Sequence, residues 1–135
     1  MNPKLEHAVK GAIGTEKYKV TIEWRNGVLV ADEPVAVGGK DLGPDPYTLL
    51  LSSLAACTLS TLRMYIARKE WDIPAITVEL NLYQETSGAL TTTISRDIRF
   101  TPPVTEEQKE RLLQIAQKCP VSKILENKII LNTTA

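Results

Sequence analysis

Apolar and polar residues alternate through several segments of the chain, and the period of two marks half-buried strands. Tyr18, Val20, Ile22 and Trp24 alternate with Lys19, Thr21 and Glu23. Asn26-Gly27 follows, a pair suited to a type I′ turn, and then Val28-Leu29-Val30, so a β-hairpin is predicted. Ile76, Val78, Leu80 and Leu82 alternate with Thr77, Glu79, Asn81 and Tyr83. A turn around Ser87-Gly88 leads to a further strand, Leu90 to Phe100, with Ile94, Ile98 and Phe100 on one face. These two segments predict a second hairpin. The Gly and Pro residues between Ala31 and Pro46 mark a loop.

Helical signals occupy the rest. A helix is predicted from Pro46 or Tyr47 to about Lys69, closed before Pro74, which returns the chain to extended geometry. Thr105 and Gln108 have the spacing of a capping box. The helix they open carries Leu112, Leu113, Ile115 and Ala116 and ends near Lys118. A short helix with Pro120 at its first position follows, and Lys128 to Asn132 reads as a final strand. The fold class is α+β, a single domain over residues 1–135.

The long helix raises a chemical question, because Cys57 sits inside it. From Pro46 to Leu62 the only ionisable side chains are Tyr47 and that thiol. At about 100° per residue, Leu51, Ala55, Leu59, Leu62 and Ile66 form one stripe, the expected core side. Cys57 then lies on roughly the opposite side, among Leu50, Ser53, Leu54, Ser60, Thr61 and Met64. An outward face would normally carry Lys and Glu; this one needs a cover, which a helix, a second subunit or a pocket would supply. The alternative is a helix buried all round, with Cys57 as a small hydrophobe. The uncharged run falls short of the roughly 20 apolar residues that span a bilayer, so a buried helix is expected rather than a membrane segment.

Cys119, the other cysteine, immediately precedes Pro120 at the start of the short helix, where the helix dipole favours a thiolate. Two thiols and the single His7 make a poor zinc site, so no metal and no cofactor are expected. Inert core residues, a structural bridge and a redox pair remain as readings, with a cytoplasmic protein bearing free thiols as the default. The 16 basic and 16 acidic residues cancel, and the basic ones are scattered, so nothing draws the chain to nucleic acid or an anionic membrane. Lys4, Glu6 and Lys10 interrupt the N-terminus, which does not read as a signal peptide. Asp32-Glu33 reads as part of a solvated loop, and Trp24 and Trp71 as packing residues.

Two segments together, "DEPVAVGGKDLGPDPYTLLLSSLAACTLSTLRMYIARKEW" and "ERLLQIAQKCPVSKILE", resemble the OsmC/Ohr family, the osmotically inducible and organic hydroperoxide resistance proteins. The resemblance covers most of the chain. It implies an OsmC-like fold, an intertwined homodimer with active sites at the subunit boundary, and a cover for the Cys57 face. It also implies that Cys57 attacks the peroxide and becomes a sulfenic acid, and that Cys119 condenses with it to a disulfide. An organic hydroperoxide would be the substrate, and a dithiol such as a lipoyl group the reductant. In the family's peroxidase branches an N-terminal Arg stabilises the thiolate, oriented by a Glu after the Pro matching Pro46. Here Tyr47 holds that position and Thr48 the next, while Arg25 is the one N-terminal Arg, for which an exposed turn residue is the other reading. Ser122 stands where this branch often has His. These departures bring in an alternative: a non-peroxidatic OsmC-like protein binding a small apolar or thiol ligand at the dimer boundary.

Overall fold

A computed structural model of the chain describes residues 2–135, which form two compact units, one ending at Leu50 and the other Leu51–Ala135. In the first, β1 (Lys10–Ile13), β2 (Val20–Trp24) and β3 (Gly27–Ala31) make an antiparallel sheet in that order. β1 escapes sequence reading because its four residues are all exposed and show no alternation. The hairpin stands as expected, but its turn does not. Trp24 pairs with Gly27, so Arg25-Asn26 forms the loop, and neither residue has the positive φ of a type I′ turn. Gly27 serves close packing instead: a Cβ there would run into the Trp24 indole.

The loop after β3 is built around Asp32, which is buried rather than solvated. Its carboxylate accepts from the backbone N–H groups of Glu33 (2.8 Å), Lys40 (3.2 Å) and Leu42 (3.3 Å). Burial pushes this carboxyl up, but the three N–H donors and the Lys40 charge together hold it below the usual carboxylate range. Gly39 and Gly43 permit the approach: a Cβ on either would meet the carbonyl of Glu33 or Val30. Asp45 then caps the coming helix, accepting the Thr48 N–H at 3.0 Å, as Pro46 occupies the first helical position.

That helix, α1 (Pro46–Lys69), has the predicted limits. Its 24 residues are long and apolar enough to cross a bilayer by length and composition alone, contrary to the shorter sequence count. One face of it packs into the core. Leu54, Thr58, Leu62 and Ile66 are buried, a stripe turned by roughly 40° from the expected one at 100° per residue. The rotation leaves Leu51, Ala55 and Leu59 half-buried and puts Cys57 at the edge of the buried stripe. Glu70, with φ of 56°, ends the helix, and the Trp71 N–H returns to the Ile66 carbonyl at 3.2 Å.

In the second unit β4 (Ala75–Glu85) and β5 (Thr91–Thr101) form the predicted hairpin. The turn between them contains Gly88 at φ 92°. α2 (Glu106–Ala116) opens with the Thr105–Gln108 capping box, and α3 (Pro120–Leu125) has Cys119 as its N-cap. Leu62 and Ile66 of α1 pack with Ile73 and with Leu112, Ile115 and Ala116 of α2, while Ile76, Ile98 and Phe100 of the hairpin press on this cluster. Burying Leu62 and Leu112 contributes about 1.5–3 kcal/mol each. Residues 128–132 are not a strand: among the described residues no segment pairs with them, and Ile129, Ile130 and Leu131 are exposed.

Candidate functional site

The two cysteines, remote in sequence, come together in the second unit. α1 carries Cys57 and the turn between α2 and α3 carries Cys119; both are free thiols, near enough for each to act on the acidity of the other. The Val121 N–H, two residues beyond Cys119, also donates to Cys57 Sγ at 3.4 Å. The sulfurs differ in access. Cys57 is half-buried, whereas Cys119 is completely buried.

Cys119 sits in a polar nest. Pro120 starts α3, so Cys119 becomes its N-cap, with φ −63° and ψ 141°, and its sulfur accepts the Ser122 N–H at 3.4 Å. Ser122 Oγ lies 3.0 Å from the same sulfur and Thr58 Oγ1 4.0 Å from it. Behind these hydroxyls stands Arg96 of β5. Its Nη1 donates to Thr58 Oγ1 at 2.9 Å, to Ser122 Oγ at 2.9 Å and, more weakly, to the Ala116 carbonyl at 3.4 Å. Among the described residues Arg96 makes no ion pair with a carboxylate. A half-buried cation without an anion is costly, so its surroundings favour negative charge nearby.

The nest separates the acidities of the two thiols. Burial pushes the Cys57 thiol up, and the neighbouring Cys119 adds to that, against smaller lowering by the Val121 N–H and Thr61. Burial acts on Cys119 in the same sense but is outweighed by the Ser122 hydroxyl and N–H, with help from Cys57 and Thr58, so its thiol lies below the ordinary value. The surroundings therefore favour the anionic form at Cys119 over Cys57.

Arg96 was legible in the sequence and overlooked there. Along β5, Ile94, Arg96, Ile98 and Phe100 are half-buried while Ser95, Asp97 and Arg99 are exposed. A charge in register with the inward apolar positions is a signal of a site. Thr58 carried no such mark beyond its place next to Cys57. Of the other candidates, Arg25 is exposed in the β2–β3 turn, Tyr47 is exposed, and Thr48 gives its N–H to the Asp45 cap. Among the described residues no three His, Cys, Asp or Glu side chains gather as a metal site.

A cavity of about 190 Å³ adjoins the nest, lined by the polar Arg96, Ser122, Thr92 and Glu126 and by the apolar Leu54, Ile94 and Leu125. A wider groove of about 590 Å³ runs past Tyr65, Trp71 and Arg111 and shares no lining residue with the thiol site.

Comparison with known proteins agrees with this arrangement. The family model described as OsmC-like protein matches residues 38–134, which include both cysteine segments. A putative osmotic stress induced and detoxification response protein from Psychrobacter arcticus superposes with a TM-score of 0.76 at 21% identity, over 92% of this chain and 91% of that one. An OsmC-like protein from Mycoplasma pneumoniae gives 0.70 at 20% identity, over 92% and 89% of the two chains. The organic hydroperoxide resistance protein OhrB of Bacillus subtilis gives 0.64 at 22% identity, over 87% of each. No curated protein matches. The three-stranded sheet, the long cysteine-bearing helix, the second hairpin and the C-terminal helices make up an OsmC-like fold, and the chain belongs to the OsmC-like protein family.

Proposed function

We propose that the chain is a thiol peroxidase that reduces organic hydroperoxides through Cys57 and Cys119. The observation that carries the reading is the adjacency of a reachable sulfur, Cys57, and a buried one held by hydrogen-bond donors, Cys119. The name of the Bacillus subtilis relative supports the same chemistry. Cys57 attacks the O–O bond, becoming a sulfenic acid as the alcohol leaves. Cys119 attacks that sulfur, water leaves, and a disulfide forms. A dithiol such as dihydrolipoamide then reduces the disulfide by exchange, with no bound cofactor. The cycle belongs to a cytoplasmic homodimer whose second subunit covers the exposed part of α1. It draws its cation from Arg96, so Arg25 takes no step, and Tyr47 and Thr48 belong to the helix entrance.

A second reading is favoured by one observation: among the described residues no guanidinium bonds Cys57, whose sulfur accepts the Val121 N–H, and burial pushes its thiol up. Under that reading the site binds a small apolar or thiol ligand without turnover. Free thiols counted after adding an alkyl hydroperoxide to the reduced protein decide between them. The peroxidase reading expects both thiols to vanish together and Cys57→Ser to consume no peroxide. Thiols that persist in excess peroxide, beside saturable ligand binding, would establish the second reading.

A further inference from the structure

The peroxidase reading leaves one difficulty. The reachable sulfur is the one that resists ionisation, while the sulfur surrounded by donors is shut away from solvent. The arrangement of Arg96 resolves it. A guanidinium can only donate, so wherever Arg96 Nη1 meets Thr58 Oγ1 and Ser122 Oγ, the oxygens accept. Each hydroxyl then keeps its own proton to give away. Ser122 Oγ has Cys119 Sγ at 3.0 Å, and Thr58 Oγ1 has it at 4.0 Å. The guanidinium thus turns two hydroxyls towards one sulfur and polarises them, and such chains strengthen each bond in them.

We propose that Arg96 is a positioning residue that, through Ser122 and Thr58, keeps the site's negative charge on Cys119, and that this thiolate is the base for Cys57. When a hydroperoxide arrives, the Cys57 proton moves to Cys119 Sγ as Cys57 Sγ attacks the distal oxygen. The O–O bond breaks, the departing alkoxide takes the proton from Cys119, and the alcohol leaves. Cys119, a thiolate again, attacks the Cys57 sulfenic sulfur, and the displaced hydroxide takes a proton from solvent and leaves as water. Two electrons pass from the sulfur pair to the peroxide. Cys119 acts twice, first as proton carrier and then as nucleophile.

Among the described residues, Arg96 is the charge found in the contacts around Cys119. α1 offers Cys57 and Thr58, β5 offers Arg96, α3 offers Ser122, and α2 ends there in the Ala116 carbonyl. Lys118 and Lys123, close in sequence, are exposed, and Glu126 lines the adjoining cavity without pairing with Arg96.

The proton-carrier step rests on the peroxidase reading, whereas the dependence of Cys119 on Arg96 does not, and the experiment separates them. In a Cys57→Ser background, Cys119 is titrated by its ultraviolet thiolate absorbance, with circular dichroism recording the fold. Arg96→Met and Ser122→Ala should each weaken the acidity of Cys119 about tenfold, one pKa unit. Combined, they should fall short of the sum, because they act along one path. Arg96→Lys should restore part of the loss, since one ammonium keeps the charge without the planar fork. An unchanged midpoint in folded Arg96→Met, or in Ser122→Ala should Arg96→Met fail to fold, overturns the proposal. With both cysteines present, Arg96→Met should also move the pH profile of peroxide consumption to higher pH. If the titrations behave as expected but the parent protein consumes no peroxide, the peroxidase reading falls and the Arg96 relay stands.

Discussion

Each of the two units buries an acid among hydrogen-bond donors, and the two nests are built differently. Asp32 takes its three N–H donors from Glu33, Lys40 and Leu42, all within its own loop. Cys119 is held by Ser122 from the following helix and by Thr58 from α1, with Arg96 of β5 behind both. Both acids are held below their ordinary range. A cage closed by nearby residues fixes the path of a loop. A nest assembled from three separate elements costs more to organise, and it places a thiol of lowered pKa beside a second sulfur. Under the proposed function, where the donors come from in the sequence separates a structural acid from a reactive one.

Exchanging the reactive acid gives the largest effect. In the proposed cycle Cys119 is the resolving sulfur, so with Cys119→Ser catalytic turnover with a dithiol should stop after the first equivalent of peroxide. Cys57 should then climb to sulfinic acid in excess peroxide. Mass spectrometry reads this directly, and a variant that continues to turn over would show that Cys119 has no place in the cycle. Its melting temperature should move little, because Ser keeps an acceptor at the cap position.

Breaking the structural cage should do the reverse. At Gly39 a Cβ would stand 2.6 Å from the Glu33 carbonyl carbon and 2.8 Å from Asp32 Oδ1. Gly39→Ala therefore strains the loop by at least about 1–3 kcal/mol, visible as a lower denaturation midpoint. Peroxide consumption per folded molecule should be unchanged. An equal loss of activity and stability would erase the distinction between the nests.

The two thiols should also give stability opposite slopes with pH. Cys119, lowered on folding, adds stability as pH rises through its folded value and in full above the unfolded thiol range. Cys57 is raised, so its contribution is present below the unfolded range and is lost as pH rises through the folded value. Alkaline denaturation should therefore hurt Cys119→Ser, which keeps only the raised thiol, and spare Cys57→Ser. Parallel curves for the two variants would mean that the surroundings do not divide the charge. Asp32 follows the same rule at acid pH: its stabilisation is present above the unfolded carboxyl range and lost as pH falls through the folded value. The gap between the parent and Asp32→Asn should close on acidification.

Legibility followed the same division between near and far. The limits of α1, the second hairpin, the capping box and the Pro120 helix start were readable because each is decided by residues a few positions apart. The Asp32 cage was missed because its acceptor and its farthest donor are separated by a loop with no periodicity. The meeting of Cys57 with Cys119 was implied by family resemblance, not by spacing. Arg96 is the instructive omission. The alternation that placed Ile94, Ile98 and Phe100 on one face also placed Arg96 there, and a charge at an apolar position deserved to be read as a cation looking for an anion. The segment 128–132 failed for the opposite reason: its short apolar run, Ile129 to Leu131, is strand-like, but a strand needs a partner, and this chain supplies none among the described residues.

The smallest predicted effect tests whether nearness alone sorts the networks. Thr105 accepts the Gln108 N–H at 3.1 Å, and the Gln108 side chain accepts the Thr105 N–H at 3.1 Å, a closed network spanning four residues on the surface. Thr105→Ala opens it and should cost about 1 kcal/mol, the usual worth of a helix N-cap. α2 carries Leu112, Ile115 and Ala116 into the core and ends at the Ala116 carbonyl that Arg96 touches. A frayed first turn therefore has a mechanical route to the thiols, one whole helix long. If locality governs, the denaturation midpoint falls while the Cys119 titration and the peroxide rate stay where they were. A shift in the thiol midpoint would mean that α2 transmits its N-terminal order to the site, and that local networks in this unit also serve its chemistry.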